Sequence, residues 1–198
     1  MSKIIITCAV TGSIHTPTMT PYLPITPEEI ANDGVAAVKA GATVLHLHAR
    51  DPGTGKPSPD PALFMDILNR IDNQCDAIAN ITTGGSALMS LEERMAGPIE
   101  AEPEMCSLNL GSMNFGLFPA AERFDKWKHP WEKTFLEGTR DMIFKNTFSD
   151  IEKIFHELGT TRGARFEFEC YDVGHLYTLA HFADRGLIKP PFFIQFVL

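Results

Sequence analysis

From Lys3 to Val10 the chain reads Lys-Ile-Ile-Ile-Thr-Cys-Ala-Val, a continuous β-branched run closed by Thr11-Gly12. A short unbroken apolar run of this kind predicts a strand buried on both faces, as in a parallel sheet. After a loop carrying Pro17, Pro21 and Pro24, the segment Thr26-Pro27-Glu28-Glu29 combines an N-cap, Pro at the first helical position and Glu at the third. That is a capping box, so a helix starts at Thr26 and runs to Gly41, which leads into a strand from Thr43 to Ala49. The rhythm then repeats. Phe64, Ile67, Leu68 and Ile71 form a helical stripe before a strand from Ala77 to Thr83, and the Ser90–Glu93 capping box opens a helix before a strand from Met105 to Leu110. Thr147 caps a helix with the stripe Ile151, Ile154, Phe155 and Leu158, followed by an alternating strand from Arg165 to Tyr171. A helix from about His175 to Arg185 passes through Gly186 into the last strand, Phe192 to Val197.

Six strand-and-helix steps at roughly 30-residue spacing predict an α/β fold, either a doubly wound sheet or a barrel. No G-x-G-x-x-G follows the first strand, so dinucleotide binding is not indicated. At 198 residues the chain is one domain, short of the ~250 residues typical of a complete eight-stranded barrel. It ends on a bare Phe/Ile/Val strand, an edge that would promote aggregation, and the simplest expectation is that the fold continues past Leu198. The segment from Leu117 to Asn146 breaks the rhythm after the fourth strand. With Trp127 and Trp131 close together, it reads as a lid, a decorated loop or, by preference, an oligomer contact.

Composition narrows the functional classes. A hydrophobic fraction of 44% with 21% charged residues is that of a packed globular protein. The formal net charge of −8 argues against a nucleic-acid partner, and no apolar run is long enough to span a bilayer. Nothing resembles a secretory signal, so the expected compartment is the cytoplasm. The four cysteines, Cys8, Cys75, Cys106 and Cys170, form no C-x-x-C pair and are expected to be reduced thiols without a role.

The candidate chemistry follows from strand parity. Residues two apart on a strand face the same side, so His46 and His48 stand together near the end of the second strand. Two imidazoles so placed suit Zn²⁺, although H-x-H alone is weak and two core histidines would look the same. Arg50 continues that face. Asn80 with Thr82, Ser107 with Asn109, and Glu167 with Glu169 share faces on the next three strands, opposite the apolar Phe166, Phe168 and Cys170. Polar groups gathered at strand C-termini point to a site at the mouth of an α/β fold and strengthen the metal reading. Gly84-Gly85 offers close backbone approach and N–H groups to an anion, or simply a tight turn. His15, Thr16 and Tyr22 lie in the loop after the first strand, where they could select substrate.

Collinear motifs add to this reading: Val10-Thr-Gly12, Leu23-Pro-Ile-Thr-Pro-Glu-Glu29, Gly41-Ala-x-Val-Leu-His-Leu-His-Ala-Arg50, Ile81-Thr-Thr-Gly-Gly85, Ser107 to Gly116, Phe166-Glu-Phe-Glu-Cys-Tyr171 and Ile194-Gln-Phe-Val197. Through them the chain resembles the β-keto acid cleavage enzymes, metal-dependent (β/α)₈ TIM barrels, of which about six of eight units would be present in residues 1–198. The resemblance implies condensation of a β-keto acid with acetyl-CoA to give acetoacetate and a new acyl-CoA, in a homo-oligomer (dimer or tetramer). It makes His46 and His48 ligands of zinc or another divalent transition metal, and Glu169 the catalytic acid. Thr82, Gly84, Gly85, Ser107, Asn109, His15 and Arg50 would serve the substrate. Where family members acting on amino-bearing substrates have an acid, this chain has Ile14, and the family's third metal ligand, catalytic Arg and general base would lie beyond Leu198. The alternatives are an amidohydrolase-type hydrolase, which would want its H-x-H on the first strand, and a non-catalytic truncated barrel.

Overall fold

The computed structural model describes residues 4–86 and 88–197. In chain order the elements are β1 (Thr7–Ala9), α1 (Pro27–Lys39), β2 (Val44–Leu47), α2 (Pro61–Asp72), β3 (Ile78–Thr82), α3 (Leu91–Ala101) and β4 (Met105–Asn109). They continue with β5 (Met113–Asn114), α4 (Pro130–Gly138), β6 (Ile143–Phe144), α5 (Phe148–Ile154), β7 (Arg165–Cys170), α6 (Val173–Asp184) and β8 (Phe193–Phe196). Six strands make one parallel sheet in the order β1-β2-β3-β4-β7-β8, and β5 and β6 form a separate antiparallel pair.

The local signals that start the helices are realised as bonds. Thr26, Ser90 and Thr147 each accept a backbone N–H three residues on, while the acid at that position returns a bond to the cap backbone. Asp60 caps α2 ahead of Pro61. The last helix begins at Val173, two residues earlier than the apolar pattern predicts, because Asp172 is its cap: Oδ1 accepts from the N–H groups of Gly174 (2.7 Å) and His175 (3.3 Å). At the other end of the chain β1 is shorter than its apolar run. Only Thr7–Ala9 pairs with β2, and the expected start at Lys3 lies outside the described residues.

The sheet separates two chemistries. Its outer face presents Leu45, Leu47 and Ile81 to α1 and α2, forming one buried cluster with Ile30, Phe64, Ile67 and Ile71. Cys106, Leu108, Phe168 and Cys170 form a second cluster with Ile151, Ile154, Phe155, Leu158 and Phe182. At roughly 1.5–3 kcal/mol per buried large apolar side chain, these clusters are the main force holding the sheet. The inner face carries the polar rows. Thr82 lies beside Ser107 and Ser107 beside Glu167, while Asn109 lies beside Glu169 and Glu169 beside Gln195. The sheet is curled, since Thr7 and Ala9 of β1 and Gln195 of β8 line the same cavity as the strands between them. The expected parity therefore holds on β2, β3, β4 and β7.

The excursion between β4 and α5 differs from its expectation. It folds as a 3₁₀ turn (Phe118–Arg123), α4 and the β5·β6 pair, and it packs onto the rest of the chain. Trp131 donates its indole N–H to the Thr54 carbonyl (3.1 Å) and meets Phe135 edge-on, while Trp127 packs against Phe124. Both indoles thus have partners within the chain and are half-buried. Glu132 is fully buried and bonds the N–H groups of Thr18 and His129 (2.8 Å each), tying α4 to the loop after β1. Among the described residues no helix is long and apolar enough to cross a membrane.

Candidate active site

The inner face and the excursion enclose a cavity of about 350 Å³ at the C-terminal ends of the strands. Its floor is polar and its far wall is not. His46 and His48 project into it from β2 and the residue after it, and their Nε2 atoms stand 3.0 Å apart. Burial drives both imidazoles towards the neutral form: it pulls His46 down to about 4, and with the nearby His46 and Arg50 charges it holds His48 well below its ordinary value. Neutral imidazoles with converging lone pairs are what a divalent metal requires. His46, Glu167 and Glu169 place one ligand atom each within 4.8 Å of one another, so carboxylate ligands are also at hand. No lysine or arginine is among the described residues lining the cavity. These observations fit a divalent transition metal at His46 and His48.

Glu169 faces the histidines from β7. Burial raises its carboxyl to about 7, the neighbouring Glu167 charge adds to the rise, and the Tyr171 hydroxyl, Ser107 and Asn109 oppose it. The Tyr171 hydroxyl donates to Glu169 Oε2 at 3.3 Å. A carboxyl with this value exchanges a proton readily at neutral pH. Glu167, behind it, is also raised by burial and partly offset by Asn80.

Thr82 and the Gly84-Gly85 turn line the cavity, but not in the expected arrangement. The N–H groups of Gly84 (2.9 Å) and Gly85 (3.3 Å) both donate to Thr82 Oγ1, so they stabilise the turn and are not offered to an anion. With its oxygen accepting twice, the Thr82 hydroxyl is left to donate its own hydrogen. Gly85 is needed on two counts: φ is +55°, and a Cβ would stand 2.9 Å from Met89 Sδ. Asn109 lines the cavity beside Glu169. Ser107 does not; it is 1% exposed and lies behind Glu169. His15 lines the mouth and is exposed, whereas Thr16 is buried and Tyr22, 87% exposed, takes no part in the cavity.

Arg50 is a correction to the sequence reading. It is 1% exposed and absent from the cavity lining, because its donors are taken by Thr11 Oγ1 (2.8 Å) and the carbonyls of Gly12 (2.8 Å), His15 (2.9 Å) and Gly55 (2.7 Å). It shapes the loop after β1 and lies outside the described cavity lining. Arg94 on α3 plays a parallel part that the sequence did not reveal. It donates to the carbonyls of Thr83 (2.7 Å) and Lys145 (2.8 Å) and to Asn146 Oδ1, and its guanidinium lies 5.1 Å from the centre of the Phe144 ring. The glycine turn and the excursion are thereby locked to one another. Nothing in the local sequence around Arg94 announces this, since its partners lie up to 52 residues away.

The excursion also supplies cavity residues that sequence reasoning missed: Phe115, Leu117, Phe135, Thr139, Met142 and Phe144. The only available signal was the excursion's length, which is common in segments that cover a site.

Residues 3–198 match the family model described as beta-keto acid cleavage enzyme. The chain is 58% identical over 195 residues to the 3,5-dioxohexanoate:acetyl-CoA acetone transferase of Paraburkholderia graminis, covering 98% of this chain and 63% of that protein. It is 34% identical over 199 residues to the 3-keto-5-aminohexanoate cleavage enzyme of Fusobacterium nucleatum, covering 100% of this chain and 64% of that one. The chain thus spans less than two thirds of the length of these relatives. Among solved structures, apo ObcA superimposes with a TM-score of 0.64 at 21% identity, over 88% of this chain and 36% of that one, a likeness of fold.

Proposed function

The chain belongs to the beta-keto acid cleavage enzyme family, and from that premise we propose that its site serves a metal-dependent exchange between a β-keto acid and acetyl-CoA. In the reaction R–CO–CH₂–COO⁻ + CH₃–CO–SCoA → CH₃–CO–CH₂–COO⁻ + R–CO–SCoA, the carbon between the keto and carboxylate groups loses a proton and attacks the thioester carbonyl. The CoA thiolate leaves, then attacks the original keto carbon; the bond from that carbon to the former methylene carbon breaks, giving R–CO–SCoA, and the acetoacetate carbanion so released takes back a proton. The curled parallel sheet is read as part of a (β/α)₈ barrel, whose C-terminal strand ends are where such sites lie.

The observation that carries this reading is the pair of neutral imidazoles, Nε2 to Nε2 at 3.0 Å, opposite a carboxyl poised near neutrality in one cavity. Zinc or another divalent transition metal held by His46 and His48 would supply a Lewis acid for the keto acid's oxygens. Around it, the Thr82 hydroxyl donates a hydrogen bond to the substrate and Asn109 presents its side chain beside Glu169. Glu169 takes up or returns a proton at its carboxyl. The curled floor fixes these groups on strands, and the excursion supplies the facing wall.

The test is acetoacetate formation from a panel of β-keto acids with acetyl-CoA by the full-length enzyme, against His46→Ala. Loss of product in the variant with an unchanged circular dichroism spectrum supports the reading. Retained turnover overturns it.

A further inference from the structure

The far wall of the cavity is unlike its floor. Phe115, Leu117, Phe135, Met142 and Phe144 from the excursion are all apolar, and Ile14 joins them from the loop after β1, where Ser13 and His15 also line the cavity. The one polar side chain that the excursion adds to the lining, Thr139, is already satisfied. Its hydroxyl donates to the Leu136 carbonyl (2.7 Å) and accepts from the Leu117 N–H (2.8 Å), and the residue is 3% exposed. The wall therefore presents hydrocarbon with no free donor, acceptor or charge from these side chains. A charged group pressed against such a surface loses its hydration and gains nothing in return.

The two halves of the cavity sort the two ends of a β-keto acid. The carboxylate and keto oxygens belong on the floor with the imidazoles, Thr82 and Asn109. The distal group, carried on the far side of the keto carbon, then meets the apolar wall. We propose that this enzyme is selective for β-keto acids whose distal group is uncharged and apolar, and that the excursion residues Leu117, Phe135 and Met142 set that selectivity. This assignment rests on the proposed exchange reaction for its orientation of the substrate.

The wall is held in place, which makes it a selector and not a loose cover. Arg94 fixes Asn146 and stacks on Phe144, Glu132 anchors α4 to Thr18, and Trp131 anchors it to Thr54. A wall fixed at three points cannot easily withdraw to let a charged group reach water, so discrimination appears in binding as well as in turnover.

The probes are 3-oxohexanoate and 3-oxoadipate, of equal chain length, one ending in methyl and the other in carboxylate. Their binding to the full-length metal-loaded enzyme is measured by calorimetry, which needs no turnover. We expect 3-oxohexanoate to bind at least tenfold tighter, and Met142→Arg, which places a cation in the wall, to narrow or invert that ratio by at least tenfold. Thr134→Ala, on the exposed face of α4 and outside the cavity lining, leaves the ratio within about twofold and guards against a general effect of changing the excursion. Equal binding of the two acids by the parent enzyme, or a ratio unmoved by Met142→Arg in a variant of normal melting temperature, overturns the inference. Exchange of labelled acetyl between acetyl-CoA and acetoacetate, whose distal group is only a methyl, is run in parallel. Its absence counts against the proposed reaction, while the calorimetric ratio still decides the wall.

Discussion

Arg94 donates from Nε to the main-chain oxygen of Thr83 at 2.7 Å, and through that bond a helix on the outside of the sheet fixes the turn that carries Thr82 and Gly84-Gly85. The same guanidinium holds Lys145 and Asn146. Arg94→Met keeps much of the apolar stem but strands acceptors that are buried, at about 1–3 kcal/mol each when left unpaired. A loss of ~3 kcal/mol corresponds to a melting temperature lower by roughly 6–12 °C for a chain of this size. Differential scanning calorimetry reads it, and an unchanged melting temperature would show that these bonds do not hold the turn.

Metal content separates the two histidines from the rest of the polar floor. His46→Ala and His48→Ala should each reduce bound metal, measured by elemental analysis after dialysis, by more than about 100-fold in affinity, since even outer-shell partners are worth 10–100-fold. Asn109→Ala should leave metal content unchanged while impairing turnover, because Asn109 lines the cavity without being a ligand. Metal retained at parent stoichiometry in both histidine variants would remove the basis for the site.

What the sequence made legible was what depends on near neighbours. The capping boxes at Thr26, Ser90 and Thr147 involve residues three apart, and the inward set of His46, Thr82, Asn109 and Glu169 follows from the two-residue period of a strand. The excursion was illegible for the opposite reason. Its α4 is nine residues long and is held by Glu132 bonding Thr18 across 114 positions and by Trp131 bonding Thr54 across 77. Short elements stabilised by distant partners leave no periodic trace. Arg50 misled for a related reason: its position on the histidine face suggested substrate, whereas the Thr11 hydroxyl and the Gly12 and His15 carbonyls, 35–39 residues away, take most of its donors and the Gly55 carbonyl another.

Glu132 should make the docking of the excursion sensitive to acid. Burial raises its carboxyl, but bonds from the Thr16 and Thr18 side chains and the N–H groups of Thr18 and His129 outweigh it, so the group sits below its ordinary 4.5. A depressed carboxylate contributes stability that is fully present above 4.5 and lost as pH falls through the lower, folded value. Glu132→Gln should therefore cost about 1–3 kcal/mol at pH 7, as for hydrogen bonds to a charged group. The gap between parent and variant should close below pH 4.5, followed by denaturant unfolding across the acid range. A gap that is constant with pH would mean the charge is irrelevant and only shape matters.

Two helix glycines should respond to alanine in opposite directions, because the space around them differs. At Gly97 in α3 a Cβ would stand 2.6–3.0 Å from three atoms of the Phe64 ring, a rigid group that is 4% exposed and itself locked between helices. The ring cannot move without opening the α2–α3 contact, so Gly97→Ala should cost about 1–3 kcal/mol by overpacking. At Gly34 in α1 the nearest atom is Leu45 Cδ1 at 3.1 Å, the end of a side chain that can yield by a few tenths of an ångström. There the gain in helix propensity, about 0.8–1 kcal/mol, is opposed by only a small displacement. Gly34→Ala should thus be neutral to stabilising by up to ~1 kcal/mol, with both changes measured in the same denaturant titration. Equal destabilisation at the two sites would mean that Leu45 is as immovable as Phe64, and that the cluster under α1 is packed as tightly as the one between α2 and α3.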